Sequence, residues 1–251
     1  MTIEQSFDDS SPEVFRAEQL IAPIPGFPEI VLATYSRKVF AELLAGRNAE
    51  QLGSINTSAV TIPVYAIESD GKRFAAYLST IGGAASAGIM EEVIPMGGRR
   101  FLFFGSCGAL DHDVTTGAIA VPTAAWRDEG VSYHYVPAAD TIDVSTWKHL
   151  SSILSALDVP HHTTITWTTD AIYRETRATV KKRLEAGCGV VDMECASTAA
   201  VAALRGVEFY QFLYGADSLA GDEWDPRNLA ENAHDQNAMM ADLAVRIAAR
   251  M

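Results

Sequence analysis

The sequence predicts an α/β fold in which a central, mainly parallel or mixed β-sheet lies between layers of helices. Strand-like and helix-like segments alternate from residue 29 to the end of the chain, the pattern of sheets covered by helices. The segment RRFLFFG (99–105) is a continuous apolar run of strand length, as expected of a strand buried on both faces. The 251 residues contain no evident linker or repeat, so we expect one domain over 29–251 after an irregular segment 1–28.

Turn and cap residues mark the elements of the first third of the chain. Segment 1–28 has four prolines and ends near the turn cluster PIPGFP. EIVLATY (29–35) predicts a strand, and SRKVFAELLAG (36–46) predicts a helix with Ser36 as its N-cap and Gly46 as its stop.

A hairpin and a helix follow. AVTIPVYAIES (59–69) and KRFAAYLSTI (72–81) predict two strands joined at Asp70-Gly71, a strong hairpin dipeptide. SAGIMEEVIPMGG (86–98) has helical spacing and a glycine stop.

The remaining elements continue the alternation of strands and helices. The sequence predicts four more strands, GAIAVPTAAW (117–126), HTTITWTT (162–169), GVVDME (189–194) and EFYQFLYGAD (208–217). It also predicts two more helices, MECASTAAVAALRG (193–206) and ENAHDQNAMMADLAVRIAAR (231–250).

Composition and charge exclude several classes of function. The chain carries 19 basic and 32 acidic side chains, whereas nucleic-acid surfaces need a basic footprint. Apolar runs stay below the ~18 residues of a membrane-spanning helix, and the polar start MTIEQSFDDS is unlike a signal peptide. The spacing of Cys107, Cys188 and Cys195 does not indicate a disulfide framework, and the adjacent His161 and His162 do not predict a metal site. We therefore expect a cytoplasmic protein without a metal or another cofactor.

Three predicted strands end in residues whose side chains can bind a ligand or take part in catalysis. These endings are GSCG (105–108), VDMEC (191–195) and GADS (215–218). Ligands of such sheets gather at the carboxyl ends of the strands, so we expect the three segments to form one site.

The GSCG segment has three interpretations on its own residues. It can be a plain turn, or an anion cradle in which glycine N–H groups and the Ser106 hydroxyl converge on a ligand. It can also carry a covalent nucleophile, although the G-x-S-x-G elbow is absent and a small cysteine such as Cys107 is commonly a packing residue.

Carboxylates dominate the other two strand ends. Glu194 is predicted at the first turn of a helix, where the helix dipole favours its charge and a vicinal diol can donate two hydrogen bonds to it. Asp217, if held in an apolar pocket, can keep its proton and act as a general acid. The alternatives are a helix-start acid without another role for Glu194 and a turn or N-cap aspartate for Asp217. The following GDEWDPR (221–227) is either a loop that closes over a ligand or an ordinary surface loop.

The three segments together resemble the nucleoside phosphorylase superfamily, which includes uridine phosphorylase, purine nucleoside phosphorylase and methylthioadenosine nucleosidase. GSCGAL follows a buried strand and VVDMECAS opens a helix about 80 residues later. STIGGAAS (79–86) is similar to a Gly-Ile-Gly-Gly turn of the family, and RDEGVSYHYVP (127–137) is similar to its Asp-Gly-x-Ser-x-His segment. The resemblance covers about residues 29–250.

This resemblance implies a three-layer α/β sandwich around a mixed, partly barrel-like sheet, and an enzyme that cleaves the N-glycosidic bond of a nucleoside. It places Ser106 at the phosphate or nucleophile side of the ribose and Met193 under the sugar, and it makes Cys107 and Gly108 substrate-binding residues as well. It assigns the 2′- and 3′-hydroxyls to Glu194, and it puts Asp192 where many relatives have glutamate. It sets Tyr173 against the base and makes Asp217 the acid that protonates a purine.

The resemblance leaves the nucleophile open between phosphate and water. Phosphorylases of the family carry an arginine two residues before the loop glycine, where this chain has Phe103, and a Gly-Asp-Pro-x-Arg loop, where it has ATYSRKVF. Arg37 can stand in for part of that loop, and Arg127 and Arg174 are further candidates. The first interpretation is a phosphorylase with inorganic phosphate as co-substrate and a role in purine salvage. The alternatives are a nucleosidase that uses water and a nucleoside-binding protein without turnover; in each case the resemblance implies a homo-oligomer, a dimer or a hexamer.

Overall fold

A computed structural model describes residues 2–227 and 234–251 of the chain. Within these residues, the structure contains ten strands and seven α-helices. The strands are β1 (Ile30–Thr34), β2 (Glu50–Asn56), β3 (Thr61–Ser69), β4 (Lys72–Leu78), β5 (Arg100–Ala109), β6 (Ile119–Asp128), β7 (Thr141–Asp143), β8 (His161–Thr169), β9 (Cys188–Asp192) and β10 (Glu208–Ser218). The helices are α1 (Arg37–Leu44), α2 (Gly83–Met96), α3 (Ser132–Tyr135), α4 (Trp147–Ala156), α5 (Arg177–Glu185), α6 (Cys195–Arg205) and α7 (His234–Ala248). The predicted start of the last helix, 231–233, lies outside the described residues.

The strands form one mixed sheet, part of which closes on itself. The order is β10-β6-β8-β9-β5-β1-β4-β3-β2, and β10 also pairs with β5 in parallel. The strands β10, β6, β8, β9 and β5 therefore make a closed barrel, and β1, β4, β3 and β2 extend the sheet from β5. This architecture confirms the predicted α/β fold with a mixed, partly barrel-like sheet.

Helices cover both faces of the sheet, which explains the unbroken apolar run of β5. Leu102 and Phe104 face a core built with α1, α4 and α7. Phe101 and Phe103 face the opposite core, built with α2 and α6. All four side chains are fully buried, and burial of each contributes about 1.5–3 kcal/mol.

Several local expectations are confirmed. The Ser36 hydroxyl accepts a hydrogen bond of 3.3 Å from the Val39 N–H at the start of α1. The hairpin between β3 and β4 pairs Ser69 with Lys72, and both turn residues have positive φ, 49° at Asp70 and 72° at Gly71.

The GSCG segment corrects one expectation, because it belongs to a strand and not to a tight loop. Strand β5 continues to Ala109 and pairs with β10 at Ser106, Cys107 and Gly108. The flanking glycines are needed for close packing: a Cβ at Gly105 would lie 2.8 Å from the Tyr35 ring, and one at Gly108 would lie 2.8 Å from the Val191 side chain.

The sequence pattern does not predict five of the elements, β2, β7, α3, α4 and α5. Strand β2 lies at the sheet edge and is mostly exposed or half-buried, so it lacks a clear apolar alternation. Helix α5 buries only Val180. Short or polar elements of this kind give weak periodicity.

The N-terminal segment contains more local structure than expected. It has two short 3₁₀ turns, Ile3–Gln5 and Ala17–Gln19. Glu13 forms an ion pair of 2.7 Å with Arg205 of α6, and Phe27 packs in the core beside α2. In the described part of the chain, no helix is both long and apolar enough to span a bilayer.

Candidate active site

The three strand ends that carry candidate functional residues line one cavity. It has a volume of about 220 Å³ and lies where β5, β9 and β10 end, beside the start of α1. The predicted residues that line it are Ser106, Cys107, Gly108, Asp192, Met193, Glu194 and Asp217. The other lining residues are Tyr35, Ser36, Ile81, Ile172, Glu175, Val191 and Leu219. Segments far apart in sequence therefore meet as the sequence analysis expected.

Glu194 is a buried carboxyl group at the start of α6. It occupies the N-cap position, is 6% exposed, and its Oε1 accepts a hydrogen bond of 2.7 Å from the Gly82 N–H. Burial, followed by the nearby charge of Asp192, raises the pKa of Glu194 to about 8. Near neutral pH this group can therefore hold a proton or release it for a ligand.

Asp192 lines the same cavity, but protein donors already surround its carboxylate. Oδ1 accepts hydrogen bonds from the hydroxyls of Thr166 at 3.0 Å and Thr168 at 2.8 Å. Oδ2 accepts from the backbone N–H groups of Glu194 at 3.0 Å and Cys195 at 2.7 Å. Burial raises the pKa of Asp192, and these four donors oppose that effect. The geometry makes Asp192 a clamp that fixes the turn before α6.

Asp217 lies near the end of β10, after a bulge, and pairs with Gly108 of β5. Its Oδ2 accepts a hydrogen bond of 2.8 Å from Trp224 Nε1. Its Oδ1 is directed toward Gly108, since a Cβ at that glycine would lie 3.4 Å from this oxygen. The carboxyl group is thus held at the cavity wall with one oxygen occupied.

The end of the cavity at Tyr35 is aromatic. The ring of Tyr35 stacks on Phe103 at a centroid distance of 6.2 Å, and its hydroxyl lies 3.3 Å from the Ser86 hydroxyl. Burial, and secondarily the charge of Glu194, raises the pKa of Tyr35, so the phenol stays neutral. Tyr35 covers Phe103, the position at which the resemblance implies an arginine in phosphorylases.

The cavity is rich in carboxyl groups. Glu175 joins Asp192, Glu194 and Asp217, and burial followed by the charge of Asp217 raises the pKa of Glu175 to about 7. Among the described residues that line the cavity there is no arginine, lysine or histidine.

The three arginines considered for phosphate lie outside this lining. Arg37 is the first residue of α1 and is exposed, as is Arg174. Arg127 is buried elsewhere: its Nε donates to the Ser132 hydroxyl at 2.8 Å, and its guanidinium lies 4.0 Å from the centroid of the Tyr133 ring.

Tyr173 does not lie where the resemblance places it, and Cys107 does not fit the alternative of a covalent nucleophile. The Tyr173 side chain is 96% exposed and lies outside the cavity lining, which instead includes Ile172. The 3₁₀ turn explains this, because successive side chains point about 120° apart. Cys107 is buried and burial raises the pKa of its thiol, so it is poorly suited to be a nucleophile.

Sequence reasoning missed Tyr35, Gly82 and Glu175 as site residues. Gly82 belongs to the glycine turn that resembles the family. It acts through its backbone N–H, and a backbone group cannot be recognised from the residue type. Glu175 lies in a polar stretch without periodicity, so only the folded chain brings it to the cavity.

The sequence profile described as the phosphorylase superfamily matches residues 29–250. The chain belongs to the phosphorylase superfamily. Among curated members, the guanosine phosphorylase of Halorubrum lacusprofundi is 31% identical over 131 residues, which are 51% of this chain and 54% of that protein. The chain spans about half the length of the curated relatives that it matches.

Solved structures share the superfamily fold. A uridine phosphorylase from Vibrio fischeri superposes with a TM-score of 0.74 at 20% identity, covering 97% of this chain and 98% of that one. A futalosine hydrolase mutant of Helicobacter pylori superposes with a TM-score of 0.68 at 14% identity, covering 89% and 98%. At these identities the similarity establishes the fold.

Proposed function

We propose that this superfamily member is an enzyme that cleaves the N-glycosidic bond of a purine nucleoside, with water as the nucleophile. The observation that carries the proposal is the meeting of Glu194, Asp217 and Ser106 in one cavity. These residues supply a group for the ribose diol, a group for the leaving base and a hydroxyl beside the attacking molecule.

Glu194 serves the sugar. Its carboxylate accepts hydrogen bonds from the 2′- and 3′-hydroxyls, while the Gly82 N–H holds Oε1 in place. As the glycosidic bond lengthens, the ribose acquires oxocarbenium character, and the ionised form of Glu194 stabilises that developing cation. Met193 adds an apolar contact beside the sugar.

Asp217 serves the base. The C1′–N bond breaks with its electron pair going to the ring nitrogen, and the Asp217 carboxyl gives its proton to the base. Water adds its oxygen to C1′, and the proton that water loses restores the acid. Such a proton transfer typically contributes about 10² to 10⁴ in rate. Purines accept a proton on the imidazole ring, and this supports purine nucleosides as the substrate class.

The charge of the cavity supports water over phosphate. Four carboxyl groups line it, and Tyr35, which packs on the buried Phe103, lines it as well. Phosphate is doubly charged and is usually held by bidentate arginine contacts. Water carries no charge and needs only a donor or acceptor, which the Ser106 hydroxyl provides.

Phosphorolysis is the second candidate, and the relatives favour it. The curated relative from Halorubrum lacusprofundi is a guanosine phosphorylase, and the similar structure from Vibrio fischeri is a uridine phosphorylase. In this chain, phosphate would depend on Ser106, on Ser36 and on backbone donors, or on basic groups from elsewhere.

One assay separates the candidates. Protein freed of phosphate is incubated with inosine, guanosine, adenosine and uridine, with and without inorganic phosphate, and base release is followed. We expect equal release in both conditions and free ribose as the second product. Release only with phosphate, giving ribose 1-phosphate, would replace hydrolysis by phosphorolysis. Thermal stabilisation by a nucleoside without any release would identify a binding protein and reject both enzymes.

A homo-oligomeric assembly, a cytoplasmic location and a role in purine salvage stay predictions. Light scattering of the purified protein tests the first directly. Salvage follows only if the assay shows release of a purine base.

A further inference from the structure

A tryptophan from the segment after β10 contacts the proposed acid. Trp224 Nε1 donates its hydrogen bond of 2.8 Å to Oδ2 of Asp217. The segment is held by mutual backbone pairing: Ser218 N–H donates to the Asp225 carbonyl at 2.8 Å, and Asp225 N–H donates to the Ser218 carbonyl at 3.0 Å. Trp224 remains 58% exposed, so the hydrogen bond is its most specific contact with the site.

We propose that Trp224 is a positioning residue that orients the Asp217 carboxyl group, so that Oδ1 is the oxygen that delivers the proton to the base. This inference rests on the proposed function, in which Asp217 protonates the leaving base. An indole N–H can only donate, so the oxygen that it contacts has to accept. In a neutral carboxyl group the carbonyl oxygen is the better acceptor. When Asp217 takes up the proton that it delivers to the base, Oδ2 therefore acts as the carbonyl oxygen and Oδ1 carries the proton.

Proton delivery to the base requires that the proton lie on the oxygen that faces the cavity, and Oδ1 is that oxygen. It is directed toward Gly108, which lines the cavity together with Asp217. Without Trp224, the carboxyl group can rotate, and its proton can lie on either oxygen and point away from the base. The indole N–H removes that freedom before the substrate binds, which is an advantage of preorganised catalytic groups.

Trp224 also links the acid to a neighbouring space. It lines a second cavity of about 350 Å³, which shares Glu175 and Leu219 with the first.

Kinetics with two leaving groups test the assignment. A purine needs a proton to leave, whereas 4-nitrophenolate, from 4-nitrophenyl β-D-ribofuranoside, leaves without one. We expect Trp224→Phe to lower kcat for the purine nucleoside about tenfold, part of the 10²–10⁴ of a positioned acid. KM and the nitrophenyl reaction should be nearly unchanged. Trp224→His, which restores a ring N–H, should recover activity, and Trp147→Phe on α4 is the matched control.

Each outcome is decisive. Equal losses on both substrates, or no loss on the purine nucleoside, overturn the inference. Full purine activity in Asp217→Asn rejects the acid role in the proposed function, which is a different failure.

A measurement without turnover examines the contact itself. The indole ¹H–¹⁵N signal of Trp224, assigned with Trp224→Phe, should shift in Asp217→Ala and stay in place in Asp222→Asn, a variant of an exposed acid on the same segment. An unchanged signal in Asp217→Ala shows that the hydrogen bond is absent and overturns the inference even if no nucleoside is cleaved.

Discussion

The backbone N–H of Gly82 donates a hydrogen bond of 2.7 Å to Oε1 of Glu194, across 112 positions of sequence. This contact joins the glycine turn before α2 to the start of α6. It holds the carboxyl group in one orientation and leaves Oε2 free of that donor. The ribose-binding role proposed for Glu194 depends on this orientation.

Replacement of Glu194 should separate catalysis from folding. We expect Glu194→Ala to lose about 10²–10³ in kcat/KM, because the charge that stabilises the sugar cation is removed. Glu194→Gln keeps an acceptor for the Gly82 N–H and should also lose activity, since it lacks the charge. Base release and thermal unfolding measure the two effects. Full activity in Glu194→Gln would show that the negative charge is not used.

The raised pKa of Glu194 also predicts how stability depends on pH. The folded value, about 8, exceeds the ordinary carboxyl value of 4.5, so the folded state binds more protons between these limits. The free energy of unfolding should therefore fall as pH rises from about 4.5 to 8, by an amount on the order of several kcal/mol. Denaturant unfolding at several pH values measures the slope. Glu194→Gln should flatten it, whereas Glu4→Gln, a change at an exposed residue, should leave it unchanged.

The sequence predicts the fold and the strand ends that form the candidate site, because large apolar runs and polar residues at strand ends give strong patterns. The buried run of β5 and the segments around Glu194 and Asp217 are of this kind. The sequence does not show that residues 105–108 continue strand β5 instead of forming a turn. Glycines suit turns and close packing equally, and only the folded neighbours, Tyr35 and Val191, show that packing decides here.

The direction of individual side chains is a second feature that the sequence does not predict. Ile172 and Tyr173 are adjacent, and the larger aromatic residue looked the better contact for a base. The direction of each side chain follows from the local turn, which a single sequence does not specify. Similarly, the acceptor role of Asp192 depends on Thr166 and Thr168 of β8, a strand whose pairing with β9 the sequence does not reveal.

The hydrogen bonds that Asp192 accepts should survive replacement by asparagine but not by alanine. Asp192→Ala leaves the buried N–H groups of Glu194 and Cys195 without their acceptor, and we expect a loss of about 2–4 kcal/mol in the free energy of unfolding. Asp192→Asn can keep an oxygen toward these donors, so its loss should be smaller. Because the charge of Asp192 raises the pKa of Glu194, the amide should also lower that pKa. Chemical denaturation and a pH titration measure both effects, and equal destabilisation by the two variants would reject the clamp.

The glycine turn beside Glu194 offers a steric test. A Cβ at Gly83 would overlap the Ser197 hydroxyl and lie 3.1 Å from its Cβ. Ser197 cannot move freely, because its hydroxyl donates a hydrogen bond of 2.5 Å to the buried Glu129. We expect Gly83→Ala to push α2 away from α6, to cost about 1–3 kcal/mol in stability, and to weaken the adjacent contact between Gly82 and Glu194.

Gly88 in the same helix is the matched control, since a Cβ there meets nothing within 4 Å. Gly88→Ala should be neutral or stabilising by about 0.5–1 kcal/mol, as expected for alanine in a helix. Gly83→Ala should lower kcat/KM for nucleoside cleavage, and Gly83→Ala combined with Ser197→Ala should recover part of the stability, because the overlapping hydroxyl is gone. Thermal melts and base-release assays on the four proteins test this. Equal behaviour of Gly83→Ala and Gly88→Ala would mean that close packing of α2 on α6 does not position Glu194.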